Sequence, residues 1–334
     1  MKNLKLKSIL LILITIVVLL VVIKDDLPRI LYNLGQARLI FILLGIFFLF
    51  LYWFFKALAL HGIVYNYEKI KLREILKIII ITQFFHGITP FASGGQPMQV
   101  YMLKKKGIKI AHSTNIIIQN FILYQMALIT HGIIAVFLNY KFNFLTNNDV
   151  LRNLTILGFS INALVGIVLL IVSFSNKFNR FILKVIIKVC YKFRLVKDKN
   201  KTIDKWRRKL NEYHESATLL RENKGIIIKG YLYNICGLLA YYLTPLFVIY
   251  SLSININPVI VYVCSAYVTI VGSFVPIPGG SGGIEYSFLQ FFGNYISGPV
   301  LPAILILWRS ITYYFSMIVG GILFTTFKGS DGKE

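Results

Sequence analysis

The chain has 334 residues, of which 57% are apolar and 15% are charged, and its mean hydropathy is +0.70. A soluble core of this length cannot bury so much apolar surface without leaving large exposed patches, so the composition excludes a soluble globular enzyme, a disordered chain and a disulfide-built secreted domain. The net charge of +23 comes from basic residues that lie between apolar runs, which indicates an anionic membrane surface as the partner, with no nucleic acid binding expected.

Six apolar stretches have the length and composition of helices that cross a membrane. The first, residues 8–23, follows three lysines as a signal peptide would. Lys24 and two aspartates follow it where a cleavage site would lie, so we interpret it as an uncleaved first helix. The other predicted spans are residues 39–60, 113–138, 153–174, 225–251 and 299–327.

Two further apolar stretches, residues 78–103 and 258–296, are interrupted near their middle. In each, a proline shortly precedes a pair of glycines: Pro90 precedes Gly94 and Gly95, and Pro278 precedes Gly279 and Gly280. Proline removes a helix hydrogen bond and adjacent glycines destabilise a helix interior. Each stretch is therefore predicted to open inside the membrane.

Basic residues predict how the two broken stretches are oriented, because short cytoplasmic loops are enriched in Lys and Arg. Four basic residues precede the first break and four follow it, whereas the chain between Gly230 and Leu307 contains neither Lys nor Arg. We therefore predict an all-α polytopic membrane protein with about six full transmembrane helices and two oppositely oriented re-entrant broken-helix hairpins. This is an inverted-repeat, transporter-like arrangement with both termini in the cytoplasm.

We expect residues 1–334 to form a single membrane domain. Its first half is residues 1–175 with the hairpin 78–103, and its second half is residues 225–334 with the hairpin 258–296. Between them, residues 176–224 combine apolar and basic positions at helical spacing, which is typical of a basic amphipathic helix at the interface. This segment is predicted to bind anionic membrane lipids, and an ordinary cytoplasmic loop is the alternative.

The sequence contains no motif that indicates catalysis. It has no Walker loop, no His-Glu-x-x-His and no Gly-x-Ser-x-Gly, and its five histidines lack metal-ligand spacing. We therefore expect no catalytic residue, no metal and no cofactor. His86 lies just before the first break, where we interpret it as structural, with a cavity-facing role as the alternative.

The paired breaks are the strongest indication of a binding site. Paired Gly/Pro interruptions in two halves of a membrane protein are typical of a midplane site in an inverted-repeat transporter. A broken helix exposes backbone N–H groups near a helix N-terminus, and these groups bind anions such as phosphate. The alternative is that the glycines only permit close helix packing.

Two charges within the predicted apolar segments form the second element of this site. Glu285 follows the second break and Arg309 lies within the last span, where a charge is costly and is usually paired. We predict that the two side chains lie close together and that Arg309 alternates between Glu285 and a lipid phosphate. A purely structural pair is the alternative.

Three motifs resemble the membrane region of the lysylphosphatidylglycerol synthase/flippase family, which includes archaeal glycosyltransferase-like membrane proteins. They are TPFASGGQPMQVY at residues 89–101, PIPGGSGGIE at residues 276–285 and WRSITYY at residues 308–314. The resemblance covers nearly the whole chain in the right order. Together with the breaks and the charge pair it gives these candidate substrate-binding residues: Thr89, Pro90, Gly94, Gly95, Gln96, Tyr101, Pro278, Gly279, Gly280, Gly282, Gly283, Glu285 and Arg309.

The resemblance implies a flippase that moves an anionic or aminoacylated phospholipid, of the lysylphosphatidylglycerol kind, or a related polyprenyl lipid, and that supports resistance to cationic peptides. In the full-length family protein a separate cytosolic domain transfers the amino acid from tRNA. Since this chain ends seven residues after the last predicted span, we expect it to lack that domain. The alternatives are a lysyltransferase or lipid glycosyltransferase component that acts with a partner enzyme, and a membrane scaffold. A homodimer is also compatible with the sequence.

Overall fold

The computed structural model describes residues 27–144, 149–174, 223–273 and 275–327. Within these ranges the protein consists of ten α-helices and contains no strand, which confirms the all-α prediction. The helices are α1 (Leu27–Gly35), α2 (Leu39–Val64), α3 (Leu72–Gly87), α4 (Gly95–Lys105), α5 (Ile110–Phe142), α6 (Asp149–Phe174), α7 (Lys224–Ser251), α8 (Pro258–Gly272), α9 (Gly283–Phe292) and α10 (Val300–Thr325).

Four of the described helices, α2, α5, α7 and α10, are long and apolar enough to cross a membrane. They correspond to four of the six predicted spans, and α5 extends beyond its predicted ends because polar flanking residues stay helical up to Asn143, whose left-handed conformation ends the helix. The predicted span 153–174 lies in α6, a helix of 26 residues. The predicted helix 8–23 and the basic segment 176–224 lie outside the described residues. The protein is a multi-pass membrane protein.

Both interrupted stretches consist of two short helices joined at the Gly/Pro sequence. Helices α3 and α4 flank a 3₁₀ turn at Pro90–Ala92, and α8 and α9 flank a 3₁₀ turn at Pro278–Gly280. The proline is the first residue of each turn, where its missing N–H costs nothing. The chain therefore opens at the predicted places.

The 3₁₀ turns of the two breaks share one backbone conformation, and the chain differs only after them, where Gly94 has a φ of −77° and Gly282 a φ of 87°. The residue after each proline has a positive φ, 54° at Phe91 and 64° at Gly279, and the next residue does too. The following helices begin at Gly95 and Gly283, so the breaks correspond at a constant offset of 188 residues. The sequence pattern matches the pair Gly94 and Gly95 with Gly279 and Gly280. In the structure their counterparts are Gly282 and Gly283, three residues later. The pairing was wrong because the left-handed positions of the first break are occupied by Phe91 and Ala92, which are not glycines.

The two halves interlock so that the breaks meet. Helix α2 packs along α7, α3 packs along α10, and the two 3₁₀ turns contact each other. The Tyr313 hydroxyl on α10 donates a hydrogen bond to the Gly87 carbonyl at the end of α3 (3.1 Å). The apolar core is continuous through both halves and includes Trp53, Tyr242 and Phe288, all fully buried. This packing places both breaks side by side within the helical protein.

The opposite orientation of the hairpins stays a prediction, and labelling tests it. In a cysteine-free background, Lys104→Cys at the end of α4 should be protected from a membrane-impermeant maleimide in intact cells. Ser297→Cys, between α9 and α10, should be labelled; both positions are exposed in the structure. Both should react after permeabilisation, which is the control. Labelling of Lys104→Cys in intact cells would contradict the re-entrant arrangement of the first hairpin.

An ion pair closes the base of the first hairpin. Glu74 near the start of α3 accepts a hydrogen bond from Lys106 just after α4 (3.0 Å) and one from Lys77 (3.2 Å), and Arg73 lies 3.7 Å away. The hydrogen bond from Lys106 is the main cause that holds the pKa of Glu74 below its ordinary value. Because the pKa is lower in the folded protein, the pair stabilises the fold fully above about pH 4.3 and loses this effect as the pH falls through the folded pKa.

Glu74→Gln should therefore lower the thermal stability slightly at pH 7.5 and not at a pH well below 4. The loss should be at most about 1 kcal/mol, since the carboxylate is only partly shielded from solvent. Thermal unfolding of the purified protein at both pH values measures this difference. Glu68→Gln changes an exposed carboxylate outside the hairpin and is the matched control. An equal loss of stability at both pH values would contradict the ion-pair explanation.

Candidate functional site

A cavity of about 640 Å³ lies where the two breaks meet. Helices α2 to α6 of the first half and α7 to α10 of the second half all contribute to its wall. This volume is within the range of small-molecule binding sites. The cavity is therefore formed by the pairing of the halves and not by either half alone.

Four of the predicted site residues line this cavity, namely Gln96, Gly279, Gly280 and Arg309. Glu285 lies behind Arg309 and contacts it. Tyr101 is 47% exposed on α4 and does not line the cavity. The remaining predicted residues do not line the cavity either: Thr89, Pro90, Gly94, Gly95, Pro278, Gly282 and Gly283.

Arg309 and Glu285 form a buried ion pair, which confirms that the two side chains are close. Arg309 Nε lies 2.8 Å from Glu285 Oε1, and the side chains are 4% and 1% exposed. Arg309 Nη2 also donates a hydrogen bond to the Gly279 carbonyl (3.1 Å), and the Gly282 N–H donates to Glu285 Oε2 (2.6 Å). The pair therefore holds the turn of the second break from both sides and anchors it to α10.

A π-helical turn follows Arg309 directly and orients its neighbours. This turn, Ser310–Phe315, places the ring of Tyr313 beneath the Arg309 guanidinium, 4.2 Å from its carbon to the ring centroid. The same ring packs against Gly279, where a Cβ would lie only 2.4 Å from it. Single π-helical turns inside α-helices are frequent at functional sites. Here the turn brings Arg309, Tyr313 and the second break together at the cavity wall.

The first break is held by Thr89 and His86. Thr89 Oγ1 donates to the Phe85 carbonyl (2.7 Å) and accepts a hydrogen bond from the Gly94 N–H (2.8 Å). His86 Nδ1 donates to the Ala92 carbonyl, and the ring lines the cavity. His86 thus takes both of the roles that the sequence left open.

Sequence reasoning did not single out Lys56, which lines the cavity from α2. Its Nζ donates a hydrogen bond to the Tyr52 hydroxyl (3.3 Å) and lies 5.2 Å and 5.0 Å from the ring centroids of Tyr52 and Tyr124. A single lysine eight residues before the end of an otherwise apolar helix is the same kind of signal as Arg309. That signal is present in the sequence and would have identified Lys56.

Amide side chains add uncharged polar groups to the cavity wall. Gln125 on α5 donates to the Asn162 carbonyl on α6 (3.3 Å), and Asn162 Nδ2 donates to Ser273 Oγ just after α8 (2.6 Å). Asn120 is 7% exposed, and its Oδ1, like Gln96 Oε1, is buried without a hydrogen-bond partner among the described residues. These two oxygens are acceptors that a bound ligand can satisfy.

The sequence profile of the family described as "Lysylphosphatidylglycerol synthase TM region" matches residues 8–320. The chain belongs to this family. It is also similar to a protein of Archaeoglobus fulgidus described as a "UPF0104 membrane protein", with 27% identity over 268 residues that cover 76% of each chain. The resemblance that the three motifs indicated is thereby confirmed.

Proposed function

We propose that the protein is a lipid flippase or transporter of the plasma membrane. Its substrate is an anionic or aminoacylated phospholipid of the lysylphosphatidylglycerol kind, or a related polyprenyl lipid. The observation that carries this proposal is the meeting of two broken helices at a cavity whose largely apolar wall carries Lys56, Arg309 and several amide side chains. Such a cavity accommodates a charged headgroup while the acyl chains stay in the bilayer.

The chemistry of the second break supports an exchange mechanism. Arg309 binds Glu285, and a lipid phosphate competes for the same guanidinium, which binds carboxylates and phosphates bidentately. The Gly282 N–H stabilises the Glu285 carboxylate when Arg309 turns to the lipid. Helices α4 and α9 both begin at the breaks, so their N-terminal dipoles favour an anion there. With no Walker motif in the sequence, we propose that transport is passive or coupled to an ion.

The proposal extends to location and partners. Both termini are in the cytoplasm, and residues 176–224 bind anionic lipids at the inner surface. A homodimer or a partner enzyme would be consistent with this function. Transport of aminoacylated lipid to the outer leaflet would support resistance to cationic peptides.

A membrane-bound phosphatidylglycerol lysyltransferase or lipid glycosyltransferase component is the second candidate, because the family description names a synthase. A transferase modifies a lipid only when a donor, aminoacyl-tRNA or an activated sugar, is added. A flippase moves a lipid without any donor.

Reconstitution of the purified protein in liposomes distinguishes these functions. We expect a fluorescent phosphatidylglycerol to exchange between leaflets without a donor, measured by dithionite quenching, and liposomes with heat-inactivated protein are the control. Lipid modification that depends on an added donor, without movement, would favour the transferase. Neither activity, together with a stoichiometric co-purifying protein, would favour a scaffold. Mass spectrometry of the lipids that co-purify with the protein would identify the headgroup class.

A further inference from the structure

The charges around the cavity do not cancel. The charge of Arg309 is compensated by Glu285 at 2.8 Å. No carboxylate of the described residues lies within ion-pair distance of Lys56 Nζ, which donates to the Tyr52 hydroxyl and lies over the rings of Tyr52 and Tyr124. His86, a neighbour in the cavity wall, supplies no negative charge either. The part of the cavity wall that the structure describes contains no Asp or Glu. The cavity therefore has one uncompensated positive charge.

The position of Lys56 makes this charge significant. The residue is half-buried, about 12 Å from the end of α2. A cation at such depth is costly unless an anion accompanies it. One phosphodiester has a single negative charge and would balance it.

The remaining polar groups of the wall are uncharged and include unsatisfied acceptors. Asn120 Oδ1 and Gln96 Oε1 accept hydrogen bonds from hydroxyl or ammonium groups alike. Charge decides between the two, because an ammonium group would add a second positive charge beside Lys56 with no carboxylate in the wall to pair with it. A site rejects a ligand by such like-charge contacts as much as it selects another by attraction.

We propose that, while Arg309 stays paired with Glu285, Lys56 binds the phosphate of a lipid headgroup that carries one negative charge and neutral hydroxyl groups, and that in this state the cavity disfavours headgroups with an ammonium group. This inference rests on the lipid transport proposed above. It narrows the substrate from anionic or aminoacylated lipids to unmodified anionic lipids.

Binding of short-chain lipids to the purified full-length protein tests the inference by isothermal titration calorimetry. Dihexanoylphosphatidylglycerol has one negative charge and two free hydroxyls, and dihexanoylphosphatidylethanolamine has the same phosphate with an ammonium group in place of the two hydroxyls. We expect the first to bind at least about tenfold more tightly, the size of effect that one charged hydrogen bond gives. Equal binding of the two lipids to the unaltered protein would overturn the inference without any variant.

Variants then assign the selectivity to Lys56. Lys56→Gln should weaken dihexanoylphosphatidylglycerol binding about tenfold or more, and Lys56→Arg should retain most of it. Lys229→Gln removes an exposed lysine from α7 outside the cavity and should change nothing. Unchanged binding by a folded Lys56→Gln protein would contradict the assignment. If glycerol 3-phosphate bound as tightly as the lipid, the assignment of a lipid ligand would be overturned, and the site would be one for free phosphate esters.

The inference and the proposed function fail in different ways. If the protein binds dihexanoylphosphatidylglycerol through Lys56 but moves no lipid in liposomes, the inference about Lys56 stands and the proposed transport function is wrong. If the protein moves phosphatidylglycerol and phosphatidylethanolamine equally, and Lys56→Gln is as active as the unaltered chain, the transport function stands and the inference about Lys56 is wrong.

Discussion

Arg309→Gln is expected to stop lipid movement, and Arg309→Lys to impair it strongly. Arg309 makes the ion pair to Glu285, donates to the Gly279 carbonyl and lies over Tyr313. Lysine retains the charge but cannot span carboxylate and carbonyl with a planar fork. Exchange of a fluorescent phosphatidylglycerol between liposome leaflets is the measurement.

Loss of Arg309 alone also affects stability, because it leaves Glu285 buried without its partner. Breaking a buried pair in this way typically costs about 3–5 kcal/mol. The double variant Glu285→Gln with Arg309→Gln removes both charges, so we expect it to recover thermal stability and not transport. Full transport by the double variant would show that the pair is only structural.

A charge swap is a poorer control, for a reason that the structure supplies. Glu285 accepts from the Gly282 N–H and Arg309 donates to the Gly279 carbonyl. In the swapped protein, Glu285→Arg would place a guanidinium donor against the Gly282 N–H. Arg309→Glu would place a carboxylate acceptor against the Gly279 carbonyl. We therefore expect the swapped protein to be less stable than the double Gln variant.

Gly280→Val and Gly95→Val are expected to abolish lipid movement while leaving membrane insertion largely intact. The physical reasons differ between the two sites. Gly280 has a φ of 64°, which a β-branched residue resists, and its Cβ would lie 2.7 Å from Ile284. Such strain costs about 1–3 kcal/mol.

At Gly95 the reason is close contact and not a left-handed backbone. A Cβ there would lie 2.1–2.5 Å from three atoms of the His86 ring, so the ring must leave the cavity wall and its bond to Ala92. Gly95→Ala combined with His86→Ala relieves the clash and should be more stable than Gly95→Val. Liposome transport and the thermal stability of the extracted protein measure both effects.

Gly35→Val is the matched control, since nothing lies within 4 Å of the Cβ position at Gly35. Normal transport by both Gly280→Val and Gly95→Val would show that the glycines of the breaks serve helix packing and not transport. Loss of transport by Gly35→Val as well would show that the assay reports general instability.

The sequence by itself determined the membrane class, the long apolar helices and the places where the chain opens. These follow from local properties: apolar runs long enough to span a bilayer, and prolines and glycines that cannot continue a helix. The buried charges Glu285 and Arg309 were recognisable for the same reason, because a charge within an apolar run is conspicuous without any knowledge of the fold.

Only the tertiary structure decided which residues share the cavity. Lys56, Asn120 and Asn162 come from three helices that are far apart in sequence, and no local pattern relates them to the breaks. The correspondence of the two breaks at 188 residues also required the backbone, because Phe91 and Ala92 adopt positive φ where the second break has glycines. Whether a charge is compensated depends on what packs against it in space. That is why Arg309 has Glu285 as its partner, whereas Lys56 faces the cavity without a carboxylate among the described residues.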